Sequence, residues 1–137
     1  MNASQSLAAS LIVLACSAPS AALADSPEPS SASSSFYRDR SGLTAEQRER
    51  KKEVGKILRS ALIGIREIDQ GFEFEYPADL ETYREAADFV PLERACCPFF
   101  EFGIRLEPAG GRLRVSLTGP EGVKGFIREE FSALFER

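Results

Sequence analysis

Between Gly71 and Pro77 the chain reads Gly-Phe-Glu-Phe-Glu-Tyr-Pro, with an apolar side chain at every second position. Such alternation puts Phe72, Phe74 and Tyr76 on one face of a strand and Glu73 and Glu75 on the other, as in a sheet with one solvated side. The preceding stretch 61–68, Ala-Leu-Ile-Gly-Ile-Arg-Glu-Ile, predicts its partner. Asp69-Gln70-Gly71 supplies the turn, with Gly71 free to take positive φ. The same period returns at 99–109, where Phe100, Phe102, Ile104 and Leu106 share a side. It returns again at 112–119, where Leu113, Val115 and Leu117 do, and Gly110-Gly111 makes the turn between these strands.

Elsewhere the apolar spacing is helical. Thr44 and Gln47 form a capping-box pair, with Leu43 as its staple, ahead of a helix over 45–59. Val54, Ile57, Leu58 and Ala61 give that helix a narrow apolar stripe among charges. Asp79 can cap a second helix, in which Leu80, Tyr83, Ala87 and Val90 face inward. Pro91 bends or restarts it before it continues to Pro98. A last helix follows Pro120, a residue suited to a first turn, with Val123, Phe126 or Ile127, Phe131 and Leu134 inward. The order helix, ββα, ββα predicts an α+β fold. Its sheet is four-stranded and antiparallel, built from two ββα units with helices on one face, plus an N-terminal helix. Glu73, Glu75, Glu129 and Glu130 read as solvated. An architecture of this kind hosts many functions and specifies none.

The N-terminal part has another character. Residues 1–35 contain two acidic residues and no Lys or Arg, and Ala, Ser, Leu and Pro dominate. Residues 7–18 form an apolar run too short to span a bilayer, and Ala22-Leu23-Ala24 gives a small-x-small cleavage pattern. Residues 1–24 therefore read as an export signal or a disordered leader, residues 25–41 as a flexible linker, and residues 42–137 as a single α+β domain. Cleavage after Ala24 would remove Cys16 and leave no stable transmembrane segment. An exported or periplasmic protein is the favoured reading. The alternative is a cytoplasmic protein with a disordered N-terminal extension.

Charge and composition exclude several classes. The formal net charge is −4, and the densest basic run is Arg48-Glu49-Arg50-Lys51-Lys52. No concentrated basic face for nucleic acid follows from it. Histidine is absent, so a Ser-His-Asp set cannot exist and the commonest metal ligand is missing. Thr118-Gly119-Pro120-Glu121-Gly122-Val123-Lys124 precedes a helix but lacks the ending of a phosphate-binding loop.

The chemistry left is Cys96-Cys97. It is not C-x-x-C, so a thioredoxin-like mechanism lacks support. In a helix, Leu92, Cys96 and Phe99 fall on the apolar side, while Cys97 lies above Glu93 and about 100° round from Cys96. Cys96 is thus expected to be the more buried and Cys97 the more reachable. The helix C-terminus and Glu93 both disfavour a thiolate, with Arg94 opposing them. A soft ion takes the proton itself, so two thiolates could hold Hg or Cu at low coordination number, with Glu93 and Arg94 as outer partners. Zinc would need two further ligands. Cysteine is also an ordinary small core residue, and packing beside Phe99, Phe100 and Phe102 is the competing explanation.

The stretch Phe89 to Glu107, with Glu93-Arg94-x-Cys96-Cys97-Pro98-Phe99 at its centre and Thr118-Gly-Pro-Glu-Gly122 downstream, resembles a small family of uncharacterised bacterial proteins. The likeness covers roughly Arg59 to Phe131. It implies an association with heavy-metal, especially mercury, resistance neighbourhoods and no assigned activity. Two functions follow as expectations. One is a soft-metal-binding or metal-resistance accessory protein, more a binder than an enzyme. The other is a non-enzymatic interaction domain with structural cysteines, a homodimer through an uncovered sheet face or a binder of another protein.

Overall fold

The computed structural model of the chain describes residues 36–136. The expected export signal over 1–24, Cys16 and most of the linker 25–41 lie outside the described residues. In chain order the elements are α1 (Ala45–Ala61), β1 (Gly64–Ile68), β2 (Gly71–Tyr76), α2 (Leu80–Cys96), β3 (Glu101–Leu106), β4 (Leu113–Thr118), α3 (Val123–Glu130) and α4 (Ser132–Phe135). The four strands form one antiparallel sheet in the order β1-β2-β4-β3. Two hairpins thus lie side by side, joined through their second strands, and the expected α+β architecture is the one observed.

Register turns the alternation into a core. Phe72 lies opposite Leu117, Phe74 opposite Val115 and Tyr76 opposite Leu113. On the far side of β4, Phe102, Ile104 and Leu106 face the same three residues. Directly opposed side chains share a face, so these residues make one apolar surface, and the helices cover it except at Leu106, which stays exposed. Val54 and Leu58 of α1, Ala86 and Cys96 of α2, and Val123, Phe126 and Ile127 of α3 are buried in the core with it.

Glycine serves close approach at the first hairpin. Gly71 does not take positive φ, as Gly110 and Gly122 do. A Cβ there would instead lie 1.9 Å from the carbonyl oxygen of Leu117. The last helix is interrupted at Phe131, whose φ of −111° ends α3 before the short α4 begins.

Two assignments of facing differ from the expected ones. In α2, Leu80 is 63 % exposed and Tyr83 38 % exposed, while Thr82, Ala86, Glu93 and Cys96 point inward. That stripe contains a carboxylate, so a pattern that counts Glu as outward rotates the helix. In β2, Glu73 is buried despite facing away from the helices. Arg66 and Arg114 on the neighbouring strands pair with it at 2.5 and 3.0 Å, and Arg105 lies 3.8 Å away. Glu130, read as solvated, is exposed and pairs there with Arg38.

Candidate functional site

The last turn of α2 places Glu93, Cys96 and Cys97 together. The N–H of Cys97 donates to the carbonyl of Glu93 at 2.8 Å. The next residue is Pro98, which disfavours helical backbone at Cys97, and Cys97 leaves the helix with φ −131°. Both cysteines are free thiols and both are 0 % exposed. Cys96 is buried as expected. Cys97 is not the reachable thiol that its helical position suggested, because residues from distant parts of the chain close over it.

Those residues gather on Glu93, which is 1 % exposed. Its Oε1 accepts from the Cys97 thiol at 3.3 Å and from Arg38 Nη2 at 3.3 Å. Its Oε2 lies 2.8 Å from Lys51 Nζ on α1. Arg38 reaches the cluster from a short strap, residues 36–41, that precedes the expected domain start at Gly42. The strap is held by the N–H of Asp39, which donates to the carbonyl of Cys96 at 2.9 Å. Phe36 adds ring contacts to Phe99 at 4.8 Å and to Phe126 at 6.0 Å. Arg38 Nε is 3.1 Å from Glu130 Oε2, within ion-pair range but misaligned for a hydrogen bond. Its guanidinium lies over the Phe131 ring at 5.6 Å.

The electrostatics hold the thiol neutral. Burial pushes the Cys97 pKa up to about 12, and the neighbouring Glu93 carboxylate adds to the rise; Arg38 and Lys51 pull the other way and lose. A thiol that keeps its proton and donates it to a carboxylate is a poor nucleophile. Among the described residues no group of three or more Cys, Asp and Glu is arranged to hold a metal ion. Arg94, expected beside the thiols, is exposed. Arg38 and Lys51 supply the positive charge at Glu93 instead.

A cavity of about 530 Å³ opens beside this cluster. Its apolar lining comes from Leu58 of α1, Phe74 of β2, Val115 and Leu117 of β4, and Phe131 and Leu134 near the break between α3 and α4. Glu93 and Cys96 also line it; Cys97 does not. The space exists because α1 packs chiefly against α2 rather than down on the sheet. Among the described residues the outer sheet face carries no aromatic patch. It carries Glu73, Glu75, Arg66, Arg105 and Arg114 in a cross-strand ion-pair ladder.

Sequence reasoning missed Arg38 and Lys51. Lys51 was visible only as part of a basic run. The single hint of Arg38 was the pair Phe36-Tyr37 beside it, aromatic residues at the end of a segment dominated by Ser and Pro. Among the described residues no helix is long and apolar enough to cross a membrane. No protein-family model matches the chain, and no curated protein and no solved structure matches it either.

Proposed function

We propose that the chain is a non-enzymatic binding protein whose ligand site is the hollow beneath α1, and whose two cysteines are structural parts of its wall and support. The observation that carries this reading is the arrangement on Glu93. One buried carboxylate joins the strap through Arg38, α1 through Lys51 and the end of α2 through the Cys97 thiol. Buried charge is tolerated when each group is paired and hydrogen-bonded. Here the pairing also fixes three separate segments beside the cavity. Burial would protect both thiols from oxidation even in an oxidising compartment, so the cysteine pair is compatible with export.

A soft-metal-binding protein is the second reading. It is favoured by two adjacent thiols, one on the cavity wall and one 3.3 Å from a carboxylate able to accept its proton. The resemblance to proteins of mercury-resistance neighbourhoods supports it too. Hg or Cu(I) would displace both thiol protons on binding.

Counting thiols separates the two. On the reduced full-length chain, a thiol reagent should label Cys96 and Cys97 slowly until denaturant is added. Native mass spectrometry with Hg(II), Cu(I) or Zn(II), in excess small thiol, should show no retained ion. One retained Hg(II) or Cu(I) per chain, protecting both thiols and absent from Cys97→Ser, would replace the structural reading with the soft-metal one.

A further inference from the structure

The apolar hollow has a strongly cationic lining. Seven Lys and Arg side chains line it against two carboxylates, Glu93 and Glu130, an excess of five positive charges. The chain as a whole carries −4. The local excess is therefore a property of the hollow and not of the composition.

The excess comes largely from one face of α1. Arg48, Lys51, Lys52, Lys56 and Arg59 all line the cavity, with Gly55 between them. These positions recur at helical spacing. Some of the charge is already answered. Lys51 pairs with Glu93 and Lys52 with Glu49, while Arg48 donates to the carbonyl of Leu43. Lys56 and Arg40 have no carboxylate at ion-pair distance among the described residues. Both carboxylates of the lining are engaged by Arg38, so neither is left to attract a cation.

Gly55 adds an independent observation. It sits inside a helix, where glycine is disfavoured relative to alanine. A Cβ built there meets nothing within 4 Å. The helix wall is thinnest where the cavity runs along it.

We infer that the hollow binds a small anionic amphiphile: an apolar body against Phe74, Val115 and Leu117, and a carboxylate head at the α1 cations. This rests on the reading of the hollow as the ligand site and names what it selects. The volume lies within the ordinary range for small-molecule pockets, roughly 300–1,000 Å³. A neutral apolar ligand would fill the floor and leave Lys56 and Arg40 without a counter-charge. A cationic one would meet an unfavourable potential.

The test is calorimetric titration of the full-length chain with decanoate, decanol, decylammonium and acetate, each below its aggregation concentration. Decanoate should bind one to one and at least about tenfold more tightly than decanol, and weaken as salt rises. Decylammonium and acetate should not bind measurably. Lys56→Glu, which breaks no ion pair of the described residues, should weaken decanoate about tenfold and leave decanol unchanged. Gly55→Phe should fill the hollow and abolish binding while the circular dichroism spectrum stays native. Decanol binding as tightly as decanoate would overturn the charge selection and leave a ligand hollow. Acetate binding as tightly would reduce the site to a surface anion patch. No binding of any amphiphile, or decanoate binding unchanged in Gly55→Phe, would reject the hollow as its site. The thiol and metal measurements would stand apart from all of these outcomes.

Discussion

Glu93 and Cys97 make a buried pair in which the thiol donates to the carboxylate and keeps its proton. The consequences are measurable one residue at a time. Cys97→Ala removes the donor at 3.3 Å and opens a small void among fully buried neighbours. It should lower unfolding stability by about 1–3 kcal/mol, read from the urea midpoint. The pH profile should change as well. An ordinary thiol deprotonates near 9.0, whereas the folded Cys97 holds its proton to about 12. Across that window unfolding releases a proton, so this contribution is fully present below the lower value and falls away as pH rises. The variant should lose that slope. Tyr76, whose hydroxyl is also pushed up by burial, keeps its own alkaline decline in both proteins. Glu93→Gln tests the other partner. It strips the counter-charge from Lys51 and Arg38, which are themselves largely covered, and should cost about 3 kcal/mol in the same assay. A neutral result would mean that water replaces the carboxylate. The sequence placed Glu93 one turn before Cys97, as an outer partner, and read Cys97 as the more reachable thiol. Their burial depends on Arg38 and Lys51, which lie 55 and 42 positions earlier in the chain, and local periodicity carries no information at that range.

At the level of elements, strands were more legible than helices for a physical reason. A strand's period of two leaves one choice of face, and Phe72, Phe74 and Tyr76 allowed only one answer. A helix offers a continuous choice of rotation, decided by what packs against it. In α2 the inward stripe is Thr82, Ala86, Glu93 and Cys96, too polar to recognise until its ion pairs are known. The capping box of α1 was read correctly: the Thr44 hydroxyl accepts from the Gln47 N–H at 3.1 Å, and Gln47 accepts from the Thr44 N–H at 2.9 Å. That helix also carries an avoidable weakness. Gly55→Ala adds a methyl that touches nothing within 4 Å. It should raise stability by about 0.5–1 kcal/mol through helix propensity alone, seen as a higher urea midpoint. A destabilised variant would mean that α1 lies closer to the sheet in solution, with the hollow correspondingly smaller.

Across the whole set of described residues, charge divides between two sides. Cations collect around the hollow on the helix side, while the outer sheet face holds acids and bases in close alternation. Arg114 is the hub of that ladder, contacting Glu73 at 3.0 Å and Glu107 at 2.6 Å, and also Glu75. A homodimer through this face would have to cover paired charges rather than apolar surface, which argues for a ladder that serves the sheet itself. Arg114→Met tests this. Hydrogen bonding from Arg114, then from the Arg112 N–H, holds the Glu107 carboxyl below its ordinary value of 4.5. A depressed carboxyl contributes stability above its unfolded pKa, and that contribution is lost as pH falls through the folded one. Removing Arg114 should therefore cost most at neutral pH, where Glu75 and Glu107 lose its guanidinium and Glu73 keeps only Arg66 and Arg105. The deficit should shrink as pH falls below about 4.5 and Glu107 takes up a proton. Urea midpoints of both proteins from acid to neutral pH give the comparison. A deficit independent of pH would assign the role of Arg114 to its packed aliphatic stem instead of its charge.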